Sequence, residues 1–271
     1  MAEPVRKLPA GRKPEPIPSE DSFRYGTRYR TVRLPNGETD IEEIPLTVED
    51  LLDPQLGDHV TQSDQHVEWF LRLGYLLKRY YESRQDVLVC ADLKMLWGIP
   101  GLKCPSPDIA IVQGIRDKRI PRPSFDVRKE GVRPSLIIEL VSSDDDEVRA
   151  NDYVKKVEIY RRAGIPEYFI LDPPAPKTQD RLLLTAYRLA PDGRYRRIEP
   201  DAGGRLLSET TGLLFGVESD GKTLFLVDLR TDESPLVPPE EKARKAEEKA
   251  RKVAEAEVAR LRSELVKLKK H

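Results

Sequence analysis

The chain has 271 residues and a mass of 30.9 kDa, enough for one sizeable domain with appendages or for two small ones. Its 46 Lys and Arg balance 47 Asp and Glu to a net charge of −1, so no global field marks it for a polyanionic partner. A mean hydropathy of −0.56, with no run near the roughly 20 apolar residues of a membrane span, excludes a membrane-crossing helix. The first twenty residues lack the apolar core of a secretory signal, and the expected location is the cytoplasm. Cys90 and Cys104 are the two cysteines. Outside a CxxC spacing they make neither a disulfide scaffold nor a Cys-rich zinc site, so reduced thiols are expected.

In chain order, residues 1–40 repeat Pro, Arg and Lys with few apolar anchors. Such a composition does not offset the entropy of ordering, and it predicts a flexible segment without chemistry. The predicted folded domain spans 41–232. It opens with Leu46, Val48, Leu51 and Leu52, where Thr47 and Asp50 have a helix-cap spacing over a short helix or turn. Residues 62–82 place Val67, Phe70, Leu71, Gly74, Leu77 and Tyr81 at three- and four-residue steps behind Ser63 or Asp64, predicting a capped helix. Runs of branched aliphatics at 86–97, 107–112 and 134–141 predict strands, the last two largely buried. Residues 147–166 return to helical period through Val154, Val157, Tyr160 and Ala163, with Gly164 as the stop, and 168–173 predicts a further strand. One crossover helix between the strands at 134–141 and 168–173 predicts that they are parallel neighbours.

Residues 182–200 alternate about Pro191-Asp192-Gly193, a hairpin signal, and short strands follow to residue 229. Residues 233–271 form a separate charged tail. From residue 239 on it holds 11 Lys and Arg against 7 Glu, with Val258, Leu261, Leu265 and Leu268 at three-, four- and three-residue steps. That is a short coiled-coil-like seam, expected to act as a conditional self-association or partner helix; a solvated helix is the other reading. The fold class expected is therefore α/β: a mixed sheet flanked by helices, with added hairpins and a C-terminal helical tail.

Candidate chemistry lies where charge interrupts apolar strands. Asp108 opens the strand at 107–112 and Glu139 interrupts 134–141, sharing a face with Ile137 and Val141 by strand alternation. A carboxylate there is costly unless paired, hydrogen-bonded or bound to a cation, and two acids on adjacent strands suit Mg²⁺; carboxylates tied to backbone or Arg are the plainer reading. Asp152 and Lys156 are four apart on one helical face and can pair. Helical rotation puts Lys156 near Tyr160 at the edge of the buried stripe and Lys155 in solvent. The acidic run Asp144 to Glu147 has the spacing of a capping box. Trp97 reads as packing, and no P-loop, dinucleotide fingerprint, HExxH or GxSxG motif occurs.

Pro107-Asp108, Leu136 to Ser142 around Glu139, Asp152 with Lys156, Tyr160, Ala163-Gly164, Glu167-Tyr168 and Asp172-Pro173 together resemble the Uma-type restriction endonuclease family of the PD-(D/E)XK nuclease superfamily, over residues 45–230. The resemblance implies a restriction-endonuclease-like core with Asp108 and Glu139 as Mg²⁺ (or Mn²⁺) ligands and a catalytic lysine. Two residues after Glu139, where the superfamily carries that lysine, stands Val141; in the family it is displaced to the following helix, which Lys156 matches, with Asp152 and Tyr160 supporting it. The family also carries a histidine near His66, and a first-helix acid such as Glu68 completes some superfamily sites; a partly buried imidazole and a surface acid are their plainer readings. The expected activity is metal-dependent hydrolysis of phosphodiesters in nucleic acid, DNA being the expected substrate, with Arg116, Lys118, Arg119 and Arg122 as candidate backbone contacts. The alternative, favoured by Val141 and the neutral net charge, is a catalytically inactive module of the same fold that oligomerises or recruits partners through its tail.

Overall fold

The computed structural model describes residues 23–55, 57–61, 63–141, 146–174 and 179–234, with positions 247, 248, 251, 252 and 255 of the tail. The chain enters with β1 (Gly26–Arg33), β2 (Thr39–Pro45), a single 3-10 turn (Asp50–Leu52) and β3 (Asp58–Val60). These strands form a small antiparallel sheet in the order β2-β1-β3. A flexible segment was expected to reach residue 40, and from Gly26 onward the structure has strand instead. The cause is local: β-favouring Thr, Tyr and Val of β1 and Ile41 and Ile44 of β2 flank Asn36-Gly37, whose glycine adopts φ +85°.

Next comes α1 (Asp64–Tyr80), capped by the Ser63 hydroxyl, which accepts from the His66 amide. Its other end is closed from outside: the Lys118 ammonium donates to the carbonyls of Tyr81, Glu82 and Arg84 at 3.0, 2.7 and 2.7 Å. Leu73, Gly74, Leu76 and Leu77 face the core, while Leu71, read as part of the apolar stripe, is 59% exposed.

The central layer is then laid down by β4 (Val87–Ala91), β5 (Met95–Leu96), β6 (Ile109–Gln113), β7 (Phe125–Asp126), the one-turn α2 (Val127–Glu130) and β8 (Leu136–Leu140). After β8 come α3 (Asp146–Ala150), a π-helical turn (Asn151–Lys155), α4 (Lys156–Ala163) and β9 (Glu167–Asp172). The chain continues through β10 (Leu183–Leu189), β11 (Tyr195–Arg197), β12 (Leu206–Leu207), β13 (Leu213–Val217) and β14 (Leu224–Asp228).

Six strands make one mixed sheet, β11-β10-β9-β8-β6-β4, in which β8 and β9 are parallel and every other neighbouring pair is antiparallel. Every residue of β8 and β9 is buried, as central strands covered on both faces must be. One face, through Ile109, Leu136, Ile138, Leu140 and Phe169, packs on α1 and on Phe215 and Leu226 of the separate sheet β12-β13-β14. The other, through Cys90, Ala110, Ile137, Tyr168 and Ile170, packs on Ile159, Tyr160 and Ala163 of α4 and on Trp97. The fold is thus mixed α/β, a mixed sheet with few helices against it.

The crossover was expected to be one helix over 147–166. It is broken by the wide turn at Asn151–Lys155, which adds a residue to the helical repeat. Val154, expected on the buried stripe, is consequently 64% exposed. Two bonds hold the turn open: Tyr168 Oη donates to the Asp152 carbonyl at 2.9 Å and Asn151 Nδ2 to the Val48 carbonyl at 3.0 Å. The Asp144 cap and the seam Val258 to Leu268 lie outside the described residues. No helix among the described residues is long and apolar enough to cross a membrane.

A buried carboxylate ties the two sheets together. Glu167 accepts from Ser208 Oγ (2.5 Å), Thr210 Oγ1 (2.7 Å), the amides of Glu209 and Thr210, and Arg188 Nε (2.8 Å). Removing it strands the buried hydroxyl and amide donors, while Arg188 keeps its pairing to Glu209. Glu167→Ala is therefore expected to lower unfolding free energy by on the order of 3 kcal/mol, read as a lower urea midpoint at unchanged slope.

Candidate active site

Strand register assembles the site. Ala91 faces Ile109 and Ile109 faces Ile138 in the antiparallel pairs. One step further along each strand brings Asp92, Asp108 and Glu139 side by side, continuing the Cys90, Ala110, Ile137 face against α4. The Asp92 amide donates to the Asp108 carbonyl (3.1 Å) and the Asp108 amide to Glu139 Oε2 (3.3 Å). Asp108 Oδ2 accepts from the Leu140 amide at 2.7 Å. A row of three acids thus crosses the sheet end.

From α4 the Lys156 ammonium reaches 3.0 Å from Glu139 Oε2 and 2.8 Å from Asp152 Oδ1, with its side chain 14% exposed. Tyr160 Oη donates to Glu139 Oε1 at 2.5 Å, so both oxygens of this 1%-exposed carboxylate are engaged. The wide turn supplies Asp152, and α4 supplies Lys156 and Tyr160, whose ring meets Trp97 edge-on at 6.0 Å. A second anchor fixes the turn: Asp172, at the end of β9, accepts from both Arg149 terminal nitrogens and from Tyr153 Oη at 2.9 Å.

Burial acts on every group here, and neighbours decide the outcome. Burial would lower the Lys156 ammonium's pKa, but Asp152, Glu139 and Asp108 override it and hold the lysine charged, well above its ordinary value. Glu139 is pushed well above the usual carboxylate range by burial, against the pull of Lys156, and Asp152 is raised for the same reason. Burial also works against Asp108, yet His66, Lys156 and the Leu140 amide leave it below its ordinary value. Burial and the neighbouring Asp108 raise Asp92.

The structure brings Asp108, Glu139, Lys156, Asp152 and Tyr160 together. His66, on α1, comes with them: it is 4% exposed, and its Nε2 lies 3.2 Å from Asp108 Oδ1, off the direction a hydrogen bond needs. Neither ring nitrogen makes a hydrogen bond. Glu68 does not join. It is exposed, one helical step away, and lines a separate small cleft with Arg72 and Lys222. The expected basic contacts are also otherwise engaged. Lys118 caps α1, Arg122 pairs with the half-buried Glu130 at 2.7 Å, and Arg119 pairs with Asp117, leaving Arg116 exposed. Lys155 pairs with Glu49 outside the site.

Sequence reading missed Asp92, which had been absorbed into a strand. It sits in left-handed backbone at φ +47°, where non-glycine residues are uncommon and Asp is among the tolerated ones. A cleft of about 930 Å³ opens over Asp92, Asp108, Asp152, Lys156, His66 and, on its far wall, Lys94 and residues flanking β3. Hard carboxylate oxygens share this cleft with Lys156 and Lys94, and an imidazole whose nitrogens make no hydrogen bond adjoins them. This set fits an oxygen-preferring divalent ion. Among the described residues no three His, Cys, Asp or Glu side chains close on one point, so an ion here would keep much of its water, as Mg²⁺ does.

Over residues 51–224 the sequence matches the Uma2 family, described as "Putative restriction endonuclease". No curated protein matches. Among solved structures, one titled as a putative nuclease belonging to DUF820 from Anabaena variabilis is 16% identical, covering 69% of this chain and 82% of its own, with a TM-score of 0.34.

Tyr160→Phe removes the donor to a buried carboxylate oxygen without changing shape. It is expected to lower unfolding free energy by roughly 1–3 kcal/mol, measured by urea denaturation against wild type.

Proposed function

The chain belongs to the Uma2 restriction endonuclease family, and from that premise we propose that it is a metal-dependent endonuclease hydrolysing phosphodiester bonds of nucleic acid, DNA in the first instance, at the cleft lined by Asp108 and Lys156, with the buried Glu139 bonded to that lysine. The observation that carries the reading is the lysine. It reaches Glu139 at 3.0 Å from the helix after β8, while Val141, two residues after Glu139, stays packed in the core. A module that had lost the chemistry would have no need to keep a charged ammonium buried among acids, where isolated burial is costly.

Asp108 and Glu139 are the residues to hold the cation, Mg²⁺ or Mn²⁺. When bound, such an ion neutralises the scissile phosphate and makes its water more acidic. Lys156, kept protonated by Asp152 and Glu139, orients the attacking water and stabilises charge developing on the phosphate oxygens. Asp152 holds the ammonium in place, and Tyr160 fixes the Glu139 carboxylate that shares it. The cleft's 930 Å³ accommodates a phosphodiester with its flanking sugars.

The test is cleavage of supercoiled plasmid and of single-stranded oligonucleotides with Mg²⁺ or Mn²⁺. Wild type is expected to cut only with metal, and Glu139→Ala and Lys156→Ala to lose about 10²–10³-fold or more in rate. A wild-type protein that neither cuts nor shows metal binding by calorimetry would instead be a binding module.

A further inference from the structure

Asp92 is not required by the scheme above, and its surroundings call for an explanation. The register sets it directly beside Asp108 at the ends of β4 and β6, and like charges at directly opposed positions repel. Its carboxylate lines the cleft and finds no hydrogen-bond donor among the described residues. Its backbone is held at φ +47°, a conformation that costs free energy and persists at functional sites where the surrounding structure imposes it. The third feature is independent of these two. His66, 4% exposed, lines the same cleft within 3.2 Å of Asp108 and leaves both ring nitrogens without hydrogen bonds. Lys156 is taken up by Glu139 and Asp152, and His66 lies against Asp108, which leaves the Asp92 carboxylate without a hydrogen-bonding partner of its own among the described residues.

We propose that Asp92 is a further anchoring carboxylate for the divalent cation at Asp108, gripping it from the cleft side through the ion's bound water, while water on the same ion satisfies the His66 ring. This deepens the reading above and rests on it. Glu139 is tied to Tyr160, Lys156 and the Asp108 amide, so Asp92 is the acid of the row with the most freedom to serve the ion. Groups that hold a metal ligand's water or orient a ligand commonly change affinity 10–100-fold when removed.

The assignment makes two effects run in opposite directions. Asp92→Asn keeps a residue that tolerates left-handed backbone and removes the repulsion; Asp92→Gly removes the backbone strain as well. Both are expected to melt no lower than wild type without metal, and to bind Mn²⁺ at least tenfold more weakly by calorimetry, with a correspondingly smaller rise in Tm on adding Mn²⁺. Asp108→Asn is the reference for loss of the ion. Wild-type Mn²⁺ affinity in both Asp92 variants, with Asp108→Asn impaired, would overturn the role of Asp92 while leaving the cation site standing. No Mn²⁺ binding by wild type would overturn the metal-dependent reading and this inference with it. Should one variant fail to fold, the other decides by the same comparison.

Discussion

The structure depends on one costly placement, a carboxylate in the middle of a fully buried strand. Glu139 sits in β8 with apolar neighbours on both sides and 1% of its surface exposed, and an isolated charge there would be intolerable. The chain resolves this with a tyrosine and a lysine from a single helix. Tyr160 and Lys156 take one oxygen each, and Asp152 holds the lysine's other side. To deliver both groups α4 must lie against the face that carries Ile137 and Ile170, which requires the short parallel crossover from β8 to β9. The wide turn follows from the same demand, because it lets Asp152 face inward while its carbonyl is captured by Tyr168.

The resulting cluster is closely bonded and electrostatically unbalanced. Its lysine is locked in the charged form, whereas two acids beside it are raised by burial. On the proposed reading, its ammonium is ready before any substrate arrives, and preorganised charge of this kind supports transition-state stabilisation without reorganisation.

Much of this was legible from residue order. The central strands, the parallel crossover, the hairpin about Pro191-Asp192-Gly193 and the helix-borne Lys156 all follow from periodicity and spacing, because each is set by neighbours in sequence. What could not be read depended on register between distant strands. Asp92 looks like an ordinary strand residue until β4 is aligned with β6, and nothing in residues 86–97 alone states that alignment. Glu68 follows its plainer reading as a surface acid: it is two residues from His66, and on a helix that separation turns it well away from the cleft. The wide turn escaped detection because it is imposed by Tyr168 and Val48, both remote in sequence. The hairpin at 26–45 was masked by a basic, proline-rich composition, although Asn36-Gly37 between β-formers announced it.

The cap that Lys118 places on the end of α1 has a consequence for how a polyanion would reach this protein. That ammonium, the Arg122 guanidinium held by Glu130 and the Asp117-bound Arg119 are committed to the protein's own carbonyls and carboxylates, and with a net charge of −1 they leave little far-reaching positive potential. Among the described residues, these basic groups then offer a polyanion little long-range guidance. On the proposed reading, discrimination falls instead to the time a strand resides in the cleft once it has arrived.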